Sequence, residues 1–399
     1  MSDLLPVAEA QARLLAAARP LPPETLPLAE AIGRWAAEPV LARRTQPARD
    51  LSAMDGYALR FADLPGPVRV IGESAAGRPF AGLVGAGEAT RIFTGAAMPD
   101  GADVVMVQEE ARRDGALLML DGEGPTRVGA NIRRQGLDFH EGDTLVAAGE
   151  RLTPARLAVA ATGGVGAVTV RRRVRVAIAA TGDELAEPGA APLPDRLPES
   201  NRLLLRALLS DLPVEIVDLG ILPDRLDTLT AAFTWVEADV LVTTGGASVG
   251  DHDLVRPALI AAGAAIDFWR IALRPGKPLM AGWRRDEQRG EMAVLGLPGN
   301  PVSAFVTGLL FVKPMVARLA GAAQPLPTTT RAVLGEALPP NGPRTDYMRA
   351  ELRDGHAYVA AIQDSSMLRT LARAGCLIVR EPNAPAAERG DSAEVLVIA

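Results

Sequence analysis

The run Val240-Leu241-Val242-Thr243-Thr244-Gly245-Gly246-Ala247-Ser248-Val249-Gly250-Asp251-His252-Asp253 decides the fold class. Its first three residues read as a buried strand, and the apolar pattern resumes at 254–262 as a helix. Open α/β sheets bind ligands at the carboxyl ends of their strands, which is where such a loop falls. Glycines let the backbone approach a phosphate closely, and the next helix turns free N–H groups and its positive dipole end toward the anion. Ser248 adds a hydroxyl donor. Asp251 and Asp253 are placed to cap the helix or to hold a hard cation with water. A tight turn followed by an N-cap accounts for the same residues, so this segment alone leaves both readings open.

Outward from this run the alternation continues. Apolar strands are predicted at 176–180, 214–219, 240–242 and 292–297, with helices at 201–209, 226–236, 254–262 and 302–319. Continuously apolar strands that alternate with helices indicate an α/β unit with a parallel sheet covered on both faces. Three further loops close on strand ends or carry cations. Thr181-Gly182-Asp183-Glu184 follows the strand 176–180. Arg274-Pro275-Gly276-Lys277-Pro278 is not a Walker A loop, because Pro278 follows Lys277 and Ile271 stands where the first glycine belongs. Its prolines fix where the two cations point. In Leu297-Pro298-Gly299-Asn300-Pro301-Val302-Ser303, Asn300 reads as an N-cap and Pro301 as the first helical residue.

On the amino-terminal side, 7–18 reads as a helix stopped by prolines and 27–43 as a second helix-like piece. From 50 to 143 the texture changes to short apolar runs punctuated by Gly and Pro, a β-rich segment. Thr153-Pro154 opens another helix at 155–161. Helical pieces thus flank the β-rich stretch and are expected to pack as one discontinuous unit. The expected domains are 1–44 with 144–174 (linker), 45–143 (β-rich insertion), 175–326 (α/β) and 327–399 (terminal β).

Composition narrows the function classes. The 399 residues are 48% hydrophobic and 23% charged, a globular balance. A net charge of −6 argues against a nucleic-acid backbone as partner. The single cysteine, Cys376, excludes an intrachain disulfide and a Cys-rich zinc site. His140, His252 and His356 lie far apart, and no histidine sits in a nucleophile-elbow context. No secretory pattern and no long uncharged apolar stretch is present, so the expectation is a soluble cytoplasmic protein without a membrane span.

Taken together, seven segments resemble the molybdopterin molybdenumtransferase family, known as MoeA in bacteria and as the E domain of gephyrin in animals. They are SAMDGYA (52–58), RIFTGAAMPDGAD (91–103), NIRRQGLD (131–138), ATGDEL (180–185), TTGGASVGDHD (243–253), RPGKP (274–278) and LPGNPVSAF (297–305), in family order across the chain. The resemblance implies a helical linker domain with a β-rich insertion, a doubly wound, adenylyltransferase-like α/β domain and a C-terminal β-barrel-like domain. It implies an elongated homodimer whose cleft lies between the α/β domain of one subunit and the β-rich domain of the other. The implied reaction inserts molybdate into adenylated molybdopterin and releases AMP with Mg²⁺.

By the same resemblance, Gly245, Gly246 and Ser248 correspond to the nucleotide loop, with Pro298 and Pro301 also at the substrate. Glu184, Asp224 and Asp253 correspond to the acidic residues that organise Mg²⁺ and catalysis. Asp55, Thr94 and Asp138 would reach in from the partner's β-rich domain, Asp55 in a catalytic role. Arg274, Lys277, Ser303, Arg349 and Ser365 correspond to the molybdate pocket. Two residues depart from the family pattern: Arg274 where Lys is more common, and Ala247 where Val is. Contacts with the adenylyltransferase and with downstream cofactor-processing proteins are implied as well. Two neighbouring readings stand beside this one, an adenylyltransferase and a non-catalytic scaffold of the gephyrin type. The former would not need the insertion or the terminal domain, and the retained acids favour activity over the latter.

Overall fold

The computed structural model describes residues 4–191, 194–246, 254–286 and 290–398. The chain forms two compact units, Met1–Glu38 with Ala148–Leu152 and Thr169–Ala399, and Pro39–Ala147 with Thr153–Val168.

The first unit is built on a six-stranded sheet. Its strands are β1 (Val174–Thr181), β2 (Val214–Leu222), β3 (Val240–Thr244), β4 (Ala264–Trp269), β5 (Met280–Asp286) and β6 (Gly290–Leu297), in the order β2-β1-β3-β6-β5-β4. β2, β1, β3 and β6 run parallel; β5 pairs antiparallel with β6 and β4 antiparallel with β5, so β5 alone runs against the other five. The sheet is therefore mixed rather than purely parallel.

Side chains of β1 and β3 alternate between two cores, which explains their unbroken apolar texture. Val176, Ile178, Val240 and Val242 pack with Leu205, Leu209 and Phe311 on one face. Ala177 and Leu241 pack with Leu229, Phe233 and Val255 on the other. The covering helices are α1 (Val7–Ala17), α2 (Asn201–Leu208), α3 (Leu226–Trp235) and α4 (Val255–Ala261).

A buried helical run completes the first face. α5 (Pro301–Thr307) passes through a π turn at Gly308–Val312 into α6 (Lys313–Leu319), so the single helix expected at 302–319 is interrupted. Pro314 lacks the N–H that the carbonyl of Leu310, four residues earlier, would receive in an α-helix. The Gln11 side chain of α1 donates to that carbonyl instead, at 2.9 Å. The run Pro301–Leu319 is long and apolar enough to cross a membrane, yet 83% of its apolar window is buried inside the protein, as in a core helix.

The helix-like piece expected at 27–43 is not an α-helix. Pro23–Pro27 is a short strand and Leu28–Glu30 a single 3₁₀ turn. Gly33 then takes φ +74°, and Trp35 and Ala36 form bridges to Arg151 and Val170.

Beyond Pro325 the chain forms β7 (Thr330–Leu334), β8 (Thr345–Arg353), β9 (His356–Val359), β10 (Cys376–Arg380) and β11 (Ser392–Val397). They pair in the order β8-β9-β7-β11-β10, and β10 pairs with β8 again, closing the sheet on itself around Leu334, Ala350 and Ile378. The two-residue strand Leu273–Arg274 adds to β8 in parallel.

In the second unit the sheet order is Val104–Val107, Gly56–Leu59, Glu88–Ile92, Val68–Ser74, Leu117–Leu120, Ala111–Asp114. Tyr57, Leu59 and Met106 pack on one face, and Ala58, Ile92 and Val105 on the other. Its helix Pro154–Thr162 starts as expected, with the Thr153 hydroxyl accepting from the Arg156 N–H at 3.4 Å.

Candidate functional site

Register brings the loops of the first unit together. Thr181 pairs with Leu222, Ala180 with Thr244, and Thr244 with Leu297, so four parallel strands end level with one another. The loops that begin at Gly182, Pro223, Gly245 and Pro298 leave from one sheet edge. Backbone bonds stitch them: Gly182 N–H donates to the Leu222 carbonyl at 3.4 Å, and Gly245 N–H to that of Leu297 at 3.3 Å. The Asn201 amide donates to the Gly299 carbonyl at 2.7 Å.

Gly245 and Gly246 are required here by geometry. They hold φ +91° and +58°, and a Cβ on Gly245 would lie 2.4 Å from the Thr181 carbonyl oxygen. Only glycine accepts both conditions. Beside them lie buried polar atoms without a partner among the described residues, Thr181 Oγ1, Thr243 Oγ1 and Asn201 Oδ1. Buried polar groups are normally satisfied, so unpaired ones at a sheet edge mark where a ligand's donors and acceptors would fit. Glu199, 3% exposed, accepts from the N–H groups of Asn201 and Arg202 and pairs with the Arg202 guanidinium, which fixes the start of α2 against this edge.

Acidic residues gather on the β1 and β2 loops. The Asp224 N–H donates to Asp183 Oδ1 at 3.2 Å. Burial, then the negative charges of Asp183 and Glu184, push the Asp224 carboxyl above its ordinary range. Among the described residues no three acids, histidines or cysteines stand close enough to form a ready-made metal site. Ser248, Asp251 and Asp253 lie outside the described residues.

The second loop cluster surrounds α5. Asn300 occupies the N-cap position but makes no side-chain cap bond, in contrast to the sequence expectation. Its amide reaches across to Ser365 Oγ at 3.0 Å, and the Val302 N–H donates to the Ser365 carbonyl at 3.2 Å. Ser303 is buried one residue further on, Pro298 is buried, and Pro301 is half-buried at the first helical position. A Cβ on Gly276 would lie 2.6 Å from Thr307, so the 274–278 loop rests against the far end of α5. Lys277 is exposed, and Arg274 forms an ion pair with Asp346 that raises the guanidinium pKa.

Arg349 is 1% exposed. Its guanidinium reaches the carbonyls of Ile362 and Met367 and Gln363 Oε1, each at 3.3 Å, and burial lowers its pKa. Among the described residues no carboxylate forms an ion pair with it. A buried cation left to carbonyl partners is suited to an anion.

In the second unit, Asp55 Oδ1 accepts from the Thr94 N–H at 2.7 Å and its hydroxyl at 2.8 Å. These bonds, with the nearby charge of Arg91, hold the Asp55 carboxyl below its ordinary range. Asp138 is exposed and tied in by its N–H to the Gln46 carbonyl at 3.0 Å.

Sequence reasoning missed Asn201, Glu199 and Asp346, and it singled out the 181–184 loop without assigning roles to Thr181 and Asp183 individually. Glu199 and Asn201 flank a predicted helix start, a capping signal that was available. Asp346 lies 72 residues from Arg274, and no local pattern joins them.

Three family descriptions match in succession: the MoeA N-terminal region (domain I and II) over residues 5–164, a probable molybdopterin binding domain over 177–318, and the MoeA C-terminal region (domain IV) over 331–398. The chain is 36% identical to the molybdopterin molybdenumtransferase of Haemophilus influenzae, over 91% of each chain. It is 32% identical to that of Bacillus subtilis, over 99% of this chain and 94% of the other. The crystal structure of the molybdopterin biosynthesis MoeA protein from Pyrococcus horikoshii OT3 superposes with a TM-score of 0.84 at 27% identity, covering 99% of this chain and 100% of that one.

Proposed function

Because the chain belongs to the MoeA family of molybdopterin molybdenumtransferases, we propose that this enzyme inserts molybdate into adenylated molybdopterin and releases AMP with the help of Mg²⁺. The single observation that carries the reading is the level ending of β1, β2, β3 and β6, which sets phosphate donors and acids around one edge.

The roles follow from the chemistry of each group. Gly245 and Gly246 present backbone to the diphosphate, joined by Ser248, and Pro298 and Pro301 stiffen the adjoining wall. Thr181 and Asn201 supply oxygen atoms, unpaired among the described residues, that accept from, or in the threonine's case also donate to, the nucleotide. Glu184, Asp224 and Asp253 would hold Mg²⁺. Their hard oxygens fit that ion, which commonly takes one or two carboxylates and completes its shell with water and substrate phosphates. When bound, the ion neutralises charge on the diphosphate as AMP departs. The Asp224 carboxyl, raised by burial and then by the charges of Asp183 and Glu184, suits such a role, because a bound cation favours the ionised form that burial and those charges disfavour.

Molybdate, as substrate, is assigned to Arg274, Lys277, Ser303, Arg349 and Ser365, of which Ser365 meets the start of α5 and the 274–278 loop its end. Asp55, Thr94 and Asp138 are assigned to the site of the partner subunit in a homodimer. The four-domain division at 44, 143, 174 and 326, the cytoplasmic location and the contacts with the adenylyltransferase and later cofactor-processing proteins belong to the same proposal.

Incubation with adenylated molybdopterin, molybdate and Mg²⁺, followed by chromatography, tests the reaction. AMP is expected only when all three are present, and Asp253→Asn is expected to slow its release while leaving substrate binding largely intact. Consumption of ATP instead, or no AMP under any condition, would overturn the assignment.

A further inference from the structure

The geometry points to Asp346 as a positioning residue for molybdate, which holds the Arg274 guanidinium by one nitrogen and leaves its other donors free for the oxyanion. This rests on the molybdate reading of the 274–278 loop.

Asp346 is a poor candidate for a surface ion pair. Its side chain is 6% exposed, whereas that of its partner Arg274 is 54% exposed. The acid is buried and the cation faces solvent. Strand pairing fixes both backbones: Arg274 lies in register with Asp346, and Asp346 is in turn paired to Arg380 of β10. The carboxylate is therefore an anchor on the closed terminal sheet, and the guanidinium is the movable member.

One bond is recorded between them, from Arg274 Nη2 to Asp346 Oδ2. A guanidinium carries five N–H donors in a rigid plane, so a hold through one nitrogen leaves Nε and Nη1 to face an anion. An ammonium group is a point charge without such a plane and cannot be oriented in this way. The arginine at 274 and the buried acid at 346 thus make sense as a pair. Fixing a rotamer-rich side chain before binding removes part of the ordering entropy that the anion would otherwise have to offset. The negative charge of Asp346 also acts on Arg349, so the acid sits within electrostatic reach of the second guanidinium assigned to the pocket.

The test is the molybdate dependence of AMP release at saturating adenylated molybdopterin. Asp346→Ala is expected to raise the half-saturating molybdate concentration roughly tenfold, through loss of ordering of one long side chain, with the maximal rate kept within about twofold. Asp346→Asn, which keeps an acceptor, should shift it less. In an Arg274→Ala background, Asp346→Ala should shift it far less than in the unaltered protein, because the anchor then has no guanidinium at 274 to hold. An unchanged or lowered half-saturation, or full additivity with Arg274→Ala, would overturn the role.

Lys277→Ala separates this from the underlying reading. If it leaves the molybdate dependence unshifted, the pocket assignment itself fails; if it shifts while the Asp346 variants do not, only the positioning role fails. Should the Asp346 variants not fold, crystals of the unaltered protein soaked in molybdate decide. The Arg274–Asp346 pair should persist while Nε or Nη1 faces the oxyanion, and a broken pair with molybdate bound refutes the proposal.

Discussion

Asp55 and Thr94 lie 39 residues apart in sequence, yet two bonds to one carboxylate oxygen fix the acid's ionisation. Because the folded pKa is lowered from the ordinary 3.8, the interaction is fully present above that value and is lost as pH falls through the lowered one. Thr94→Val keeps the backbone donor and removes the hydroxyl. The titration midpoint of Asp55, followed by carboxyl NMR, is therefore expected to rise toward 3.8 without reaching it. An unmoved midpoint would show the hydroxyl to be irrelevant. At this scale the sequence was readable where a residue's neighbours in the chain carry its chemistry, as with Gly245 and Gly246. Asp346 and Gln363 were not readable, since their partners come from other strands and loops.

Elements were legible where burial is two-sided. β1 and β3 are apolar throughout because both faces meet helices, and glycine loops mark their ends. β4 and β5 escaped because their apolar texture is broken by charge. Arg284 of β5, only 5% exposed, spends its guanidinium on the carbonyls of Phe233, Thr234 and Val236 at the end of α3. The piece at 27–43 misled because Leu28, Ala31, Ile32 and Trp35 fall at helical spacing, while Gly33 turns the chain and Trp35 and Ala36 bridge to other segments. Proline inside the run 301–319 left its mark in the π turn and in the Gln11 contact. Gln11→Leu should cost about 0.5–1.5 kcal/mol by denaturant unfolding, the usual net contribution of one hydrogen bond. In a Pro314→Ala background, where a backbone N–H returns, the same change is expected to cost less. Equal costs in both backgrounds would separate the glutamine from the proline.

For the whole molecule, family order was the strongest signal: seven motifs spread from 52 to 305 agree on one multidomain chain. The homodimer assignment predicts complementation. Mixing Asp55→Ala with Asp253→Ala subunits, each inactive alone, should restore roughly a quarter of the activity, since half the dimers are hybrid and each hybrid holds one intact site. No recovery, with subunit exchange verified by mass, would place the whole site in one chain. The terminal sheet bears on a different property. Since β10 returns to β8, the five strands form a hoop in which each has a neighbour on both sides. A hoop has no exposed rim of backbone donors for a stray strand to extend. Crowded protein is thereby denied one common template for fibril growth, and a cut that opened the hoop would create it.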